Sequence, residues 1–170
     1  MKFFDSDILL IRPPAVESFR FATTSITLPI GLAYISSSLK EQGLKVEVLD
    51  AVGESPKKRV GYYKGYLVGL SLGEIVNKIN PKTLAIGISI IFTHEWPAVV
   101  KLISLIKEKY SSIPIIIGGE HVSAMPEFSL MTSRADYIVT GEGEETIIEL
   151  IKAIKNKTSL QSIKGIGYKI

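Results

Sequence analysis

The segment Asp7–Pro14 reads Asp-Ile-Leu-Leu-Ile-Arg-Pro-Pro. Its apolar run, Ile8–Ile11, does not alternate with polar residues, and such a run predicts a strand buried on both faces. Pro13 and Pro14 have no N–H to donate to a sheet, so the strand ends before them. A strand buried on both faces requires packed layers above and below it. The segment therefore predicts a sheet covered on two sides.

Further strands follow at regular intervals along the chain. Most are short and apolar, and the second one alternates. They are Lys45–Asp50, Thr83–Ser89, Ile113–Ile117, Asp136–Thr140 and a sixth over Ile163–Tyr168. The segments Ala15–Leu28 and Ala51–Leu70 show no clear period and are interpreted as loops. The run Lys57–Arg59 falls in the second of these loops, where we expect it to be solvated.

Helical patterns lie between the strands. Pro29 suits the first turn of a helix that ends at Gly43. Ser71 and Glu74 form a capping box that starts a short helix ending near Asn80. The other predicted helices follow Trp96, cover Pro126–Thr132 and bury Ile147, Leu150, Ile151 and Ile154.

This alternation of strands and helices predicts one α/β domain over residues 1–170, with a doubly wound parallel sheet in a three-layer sandwich. Because crossover connections are right-handed, the simplest strand order is the flavodoxin-like (Rossmann-like) 2-1-3-4-5.

Composition excludes several functional classes. The chain has no cysteine, so it cannot form thiolate metal sites or cysteine-ligated iron–sulfur clusters. Its net charge of +3 comes from dispersed basic residues, which argues against nucleic-acid binding. The longest nearly uninterrupted apolar stretch, Leu84–Phe92, is too short to cross a bilayer, and no signal peptide opens the chain. We therefore expect a cytoplasmic protein.

Chemically distinctive residues follow the predicted strands at their carboxyl ends, where doubly wound sheets bind ligands. Both histidines, His94 and His121, and the single tryptophan, Trp96, lie there. Ser89, Gly118 and Gly119 leave room for a flat or elongated organic group between strands three and four. A strand-terminating role is the alternative for the two glycines.

Known nucleotide and metal motifs do not account for this edge. Arg12–Pro14 occupies the turn where a dinucleotide fingerprint needs glycines, and the glutamates around Gly141–Gly143 would repel a pyrophosphate. There is no phosphate-binding loop. Metal ligation by His94, His121 and a glutamate is chemically possible, but the spacing matches no compact site.

Several short motifs, taken in order, carry a family resemblance. They are Leu10–Pro14, Leu28–Tyr34, Gly87–Ser89, Gly118–Ser123, Asp136–Val139, Gly141–Glu144 and Gly165–Tyr168. The series resembles the N-terminal cobalamin-binding domain of cobalamin-dependent radical S-adenosylmethionine (SAM) enzymes, a class that includes magnesium-protoporphyrin monomethyl ester cyclases and methyltransferases.

The resemblance implies a cobalamin-binding module without catalytic residues of its own. It also implies a covalently linked radical SAM domain downstream, which would hold the 4Fe–4S cluster and S-adenosylmethionine. Without cysteine, this chain cannot hold that cluster itself. Methionine-synthase-type domains place a cobalt-ligating histidine after strand one. This chain has none there, so we expect cobalamin to bind without a histidine on its lower face.

The cofactor-binding residues that we predict are Arg12, Pro13, Pro14, Ser89, Thr93, Gly118, Gly119, Glu120, His121, Ser123, Gly141, Glu142 and Gly143. A loop histidine bonded to backbone is the alternative for His121, and a plain helix-start carboxylate is the alternative for Glu142. We expect Glu144 to start a helix, Trp96 to pack against its own helix, and His94 to lie at the surface or behind the ligand contacts. Alternative functions are a non-catalytic interaction or regulatory domain that lacks cofactor and a flavin-binding module.

Overall fold

A computed structural model describes residues 6–19 and 27–169. Their main sheet has six strands in the order β3-β1-β6-β7-β8-β9. The bounds are β1 Ile8–Arg12, β3 Val46–Asp50, β6 Ala85–Ser89, β7 Ile115–Gly118, β8 Tyr137–Val139 and β9 Ile166–Tyr168. Counted along this sheet alone, the order is 2-1-3-4-5-6. The predicted doubly wound order is therefore confirmed and extended by one edge strand.

Helices cover both faces of this sheet, as the alternation within β1 shows. Ile8 and Leu10 face one side, where they pack with residues of α1 (Ile30–Glu41) and α7 (Glu144–Asn156). Leu9 and Ile11 face the other side and pack with α3 (Leu72–Lys78) and α4 (Trp96–Lys109). The predicted three-layer sandwich is thus confirmed, and every side chain of Ile8–Ile11 is at most 2% exposed.

The last strand departs from the parallel sheet. β9 pairs with β8 in the antiparallel sense. The reason lies in the segment that follows α7: Thr146 Oγ1 donates to the carbonyl of Lys164, and the N–H of Thr140 donates to Gly165. The chain has therefore returned to the carboxyl edge before β9 begins, so β9 runs back down the sheet. A single antiparallel edge strand on a parallel sheet is common.

Our interpretation of two segments as loops was wrong. They contain a second, antiparallel sheet with the strand order β2-β5-β4, built from β2 Ala15–Ser18, β4 Arg59–Tyr62 and β5 Gly65–Val68. They also contain a short helix, α2 Ala51–Glu54. Part of the first predicted loop, residues 20–26, lies outside the described residues. The hairpin turn between β4 and β5 places Tyr63 at φ +48°. Left-handed turn positions normally carry glycine or asparagine, so the sequence lacked the usual hairpin signal.

The predicted solvation of Lys57–Arg59 was also only partly correct. Lys57 is exposed, but Lys58 Nζ lies 2.5 Å from Glu74 Oε2, and Arg59 Nε lies 3.3 Å from Glu17 Oε2. Glu74 also completes the capping box with Ser71, as predicted. Hydrogen bonds from Lys58 first, and then from Ser71, lower the Glu74 pKa to about 2. The Lys58–Glu74 pair joins the second sheet to α3, and the Arg59–Glu17 pair links its two outer strands, β4 and β2.

Candidate functional site

The carboxyl edge of the main sheet opens into a narrow cleft of 190 Å³ beneath α1 and α7. Small residues from the strands form its floor, and apolar side chains of the two helices form its roof. The residues that line it include Gly31, Ile35, Gly87, Ser89, Ile116, Gly118, Gly119, Val139, Gly141, Glu142, Gly143 and Ile147. An apolar cavity of about 150 Å³ accepts a benzene ring, so this cleft has room for a flat aromatic group.

Glycines keep the narrow cleft open. A Cβ on Gly87 would lie 2.8 Å from Leu10 Cδ2, and one on Gly143 would lie 3.2 Å from Ile35 Cδ1. At Gly31, by contrast, a Cβ would meet nothing within 4 Å, because the space beside it is open. Side chains at these positions would fill the cleft or push its walls apart.

A wide cavity of 1060 Å³ lies next to the narrow cleft, above the ends of β1 and β6. Its walls come from β2, the tip of the β4–β5 hairpin, the start of α1 and the segment after β6. The residues of these walls include Arg12, Pro13, Glu17, Tyr62, Tyr63, Ser89, His94, Glu95, Gly119 and Glu120. Ser89 and Gly119 line both spaces, so a ligand can extend from the wide cavity into the narrow cleft.

The structure brings most of the predicted cofactor-binding residues to these two spaces. Arg12, Pro13 and Glu120 line the wide cavity, while Gly118, Gly141, Glu142 and Gly143 line the narrow cleft. The helix expected after Glu142 begins at Glu144, which is where we placed its starting carboxylate. Arg12 Nη1 bonds the carbonyl of Thr27 and lies 3.4 Å from Asp50 Oδ2. That carboxylate also caps α2 through the N–H groups of Val52 and Gly53.

Other predicted residues support the walls from behind. Pro14, Thr93, His121 and Ser123 line neither space. Ser123 Oγ accepts a hydrogen bond from the Gly141 N–H at 2.9 Å, and this bond holds the loop that borders the narrow cleft. Ser123 thus supports the narrow cleft through Gly141 without lining it.

His121 is buried in a short helix, α5 Glu120–Ala124, and not in the loop that we expected. Its Nδ1 lies 3.1 Å from Thr93 Oγ1, while its buried Nε2 has no hydrogen-bond partner in the part of the chain that the structure describes. Its ring centroid lies 4.7 Å from that of Trp96. Burial lowers the His121 pKa, because desolvation disfavours the charged ring.

Trp96 is buried at the start of α4, and its Nε1 donates to Thr132 Oγ1 at 3.2 Å. The tryptophan therefore packs against its own helix and its neighbours, as predicted. His94 is exposed on the wall of the wide cavity, where its ring stacks on Phe92 with centroids 5.5 Å apart.

Sequence reasoning missed two buried carboxyl groups on the wide cavity. Glu95 is 8% exposed, and its burial raises its pKa to about 7, against the opposing effects of a backbone hydrogen bond at Phe92 and the charge of Arg12. Glu17, in β2, is equally enclosed. No motif marks either residue. The only sequence signal for Glu17 was the alternation of apolar Val16 with polar Glu17, which is typical of a strand. The segment was too short for this pattern to be recognised.

The described residues contain no group of three or more histidine, cysteine or acidic side chains placed to hold a metal ion. Nor does any helix in residues 6–19 and 27–169 combine the length and apolar character that a membrane span needs.

Comparison with known proteins places the chain in a family. The B12 binding domain family model matches residues 21–151. The chain belongs to this family. Among curated relatives, an uncharacterized methyltransferase of Pyrococcus horikoshii is 28% identical over 95% of the chain. The anaerobic magnesium-protoporphyrin IX monomethyl ester cyclase of Synechocystis is 29% identical over 95% of the chain. The chain spans 32% and 30% of the lengths of these relatives.

Solved structures agree on the fold. The radical S-adenosylmethionine methyltransferase TsrM from Kitasatospora setae, with cobalamin and a [4Fe-4S] cluster bound, matches 96% of this B12-binding domain with a TM-score of 0.72 and 21% identity. The cobalamin-dependent S-adenosylmethionine radical enzyme OxsB, with aqua-cobalamin and S-adenosylmethionine bound, matches 95% with a TM-score of 0.68 and 26% identity. The chain covers 27% and 20% of these two proteins. Nothing in these matches supports the flavin alternative.

Proposed function

We propose that this B12-binding domain holds cobalamin with its nucleotide tail in the narrow cleft and its corrin ring over the wide cavity. The observation that carries the proposal is the continuity of the two spaces at Ser89 and Gly119. Cobalamin consists of a broad macrocycle and a flat aromatic base on a flexible tail. A wide cavity that narrows into a glycine-walled cleft fits both parts.

The domain's residues bind and orient the cofactor and exclude water from it. Gly87, Gly118 and Gly143 leave room for the aromatic base, and Ile116 and Ile147 supply an apolar surface for it. Arg12 and Glu120 reach the wide cavity with polar groups that suit the amide side chains of a corrin. When bound, cobalamin supplies cobalt chemistry such as methyl or electron transfer.

We propose further that the cofactor's free face serves a radical SAM domain linked to this one. The relatives are about three times as long as the chain, and the two solved enzymes carry S-adenosylmethionine or a cluster beside cobalamin. Because the chain has no cysteine, the cluster's thiolate ligands must come from another domain. The substrate is then chosen outside these 170 residues.

The test is co-elution of hydroxocobalamin with the protein in gel filtration, followed by its visible absorption. Wild type at micromolar concentration should carry one corrin per chain. Ser89→Leu places a larger side chain where the cleft and cavity meet, and it should lose the corrin. Ser37→Leu makes the same change on the exposed face of α1 and should keep it. Absence of corrin from the wild type, or its retention by Ser89→Leu, would contradict the proposal.

A further inference from the structure

We propose that Glu17 recognises one of the primary amides at the rim of the corrin and so selects intact cobalamin over corrinoids that carry an acid at that position. The inference rests on the proposed cobalamin function and concerns a residue that lies outside the predicted ligand contacts. Glu17 lines the wide cavity from β2, and its side chain is 8% exposed.

One of the two oxygens of the Glu17 carboxylate has a partner within the protein. Its Oε2 lies 3.3 Å from Arg59 Nε, which holds the group from the far strand of the second sheet. Its Oε1 is buried and accepts no hydrogen bond from any residue that the structure describes. A buried acceptor without a donor costs free energy, and few remain in folded proteins unless a ligand or water completes them.

The group that completes Glu17 is a neutral donor. Arg59 already balances its charge, so a second cation is not needed there. The corrin rim carries primary amides whose N–H groups donate well, and a bond from such an amide to a carboxylate is charge-assisted. Oε1 itself is buried, so an amide in the adjoining cavity reaches it only when the carboxylate turns about its terminal torsion, which is soft in glutamate.

The surrounding backbone fixes where Glu17 stands. A Cβ on Gly65, which pairs with Ser18 across the two strands, would overlap the Glu17 carbonyl oxygen, and this shows how closely β2 and β5 approach. The second sheet thus fixes the backbone of Glu17 in the cavity wall, while its carboxylate can still turn about the terminal torsion. A corrinoid with a carboxylate instead of the matching amide would lose the hydrogen bond and bring two negative charges together.

The experiment measures dissociation constants of the wild-type chain for cyanocobalamin and for the derivatives in which one rim propionamide is hydrolysed to the acid, each isomer separately. One isomer should bind at least about tenfold more weakly than cyanocobalamin. Glu17→Gln should reduce that ratio to about threefold or less, because glutamine carries no charge and can donate to the acid. Glu108→Gln, on the exposed face of α4, should keep the wild-type ratio.

Each outcome separates this inference from the cobalamin function. If wild type binds cyanocobalamin and all the acids equally, or if Glu17→Gln keeps the full ratio, Glu17 is not the selecting group although cobalamin still binds. If wild type binds no corrinoid, both proposals fail. Arg59→Gln provides a second variant should Glu17→Gln not fold. It leaves the carboxylate without its counter-charge, so discrimination against the acid should persist or grow, and its loss would overturn the inference.

Discussion

Gly119 meets Ile90 backbone to backbone: a Cβ built on Gly119 would stand 2.5 Å from the carbonyl oxygen of Ile90. Gly119 also has a φ of +102°, which L side chains rarely adopt. The same Ile90 carbonyl accepts a hydrogen bond from the His121 N–H, so the contact fixes the start of α5. The glycine is therefore required by the fold itself, in addition to any ligand that approaches it.

Gly119→Ala should consequently destabilise the domain more than the same change at Gly141. Gly141 also has a positive φ, but a Cβ there meets nothing within 4 Å. We expect Gly141→Ala to cost about 1 kcal/mol from backbone strain alone, and Gly119→Ala to cost about 3 kcal/mol because strain and collision add. Urea unfolding of both variants measures the difference. Equal losses would show that the Ile90 contact relaxes freely.

Glu95 should give the domain's stability a dependence on pH. Its folded pKa of about 7 lies above the ordinary value of 4.5, so the folded state binds the proton more tightly than the unfolded state. Stability from this group is complete below pH 4.5, falls as pH rises to about 7, and is level above that. The loss between these limits is at most about 3 kcal/mol.

Glu95→Gln should remove this slope, because glutamine stays neutral in the same buried position. The free energy of unfolding, measured from pH 4.5 to pH 8 for both proteins, checks it. The variant should match wild type at the acid end and exceed it at the alkaline end. Glu108→Gln serves as the control and should follow the wild-type curve. Parallel curves for Glu95→Gln and wild type would show that the carboxyl is not held protonated.

The Trp96 and His121 rings allow a spectroscopic test of the site's interior. A protonated imidazole quenches an adjacent indole, and these ring centroids are 4.7 Å apart. Because burial lowers the His121 pKa, tryptophan emission should show no step near the ordinary value of 6.5, and any step should occur at lower pH. The folded state binds this proton more weakly than the unfolded state does, so the stability that His121 contributes is lost as pH falls below 6.5. His121→Phe should abolish the step, and a step near pH 6.5 would mean that the ring is open to water.

Cobalt should bind without a histidine ligand in this domain. The segment after β1 holds no histidine, and His121 lines neither the narrow cleft nor the wide cavity. The electron paramagnetic resonance spectrum of the chain loaded with cob(II)alamin should therefore lack splitting from an axial nitrogen. His94 lies on the wall of the wide cavity, so its replacement tests this prediction directly, and His94→Ala should leave the spectrum unchanged. Nitrogen splitting that disappears in His94→Ala would identify that residue as a ligand.

The sequence predicted the elements whose signals are local. The apolar run Ile8–Ile11, the Ser71–Glu74 capping box and the helix over Pro126–Thr132 all formed as expected. The second sheet escaped prediction because its strands have four residues each and its turn depends on Tyr63 in a left-handed conformation. Such a sheet is stabilised by pairing between distant segments, which no local pattern reports.

The candidate site shows the same division: its position in the fold was predictable from the sequence, and its contacts between distant residues were not. The edge of the sheet and the cleft glycines at the ends of β7 and β8 followed from topology, because parallel strands end together, whereas Gly31 and Gly87 were not predicted to line the site. The enclosed pairs could not be predicted: Glu17 meets Arg59 across 42 residues, and His121 meets Thr93 across 28. Burial of a carboxyl group depends on which distant chain segments cover it. For that reason the two buried acidic residues of the wide cavity, Glu17 and Glu95, were visible only in three dimensions.

The second sheet adds no strand to the main one, since β2, β4 and β5 pair only among themselves in the described chain. The domain therefore has two parts. The main sheet is a scaffold, and buried apolar strands set its register. The second sheet, which we call the cover, is attached to this scaffold and can be exchanged without shifting that register. Transplanting the cover from another member of the family should alter which corrinoid is admitted while the tail pocket stays the same.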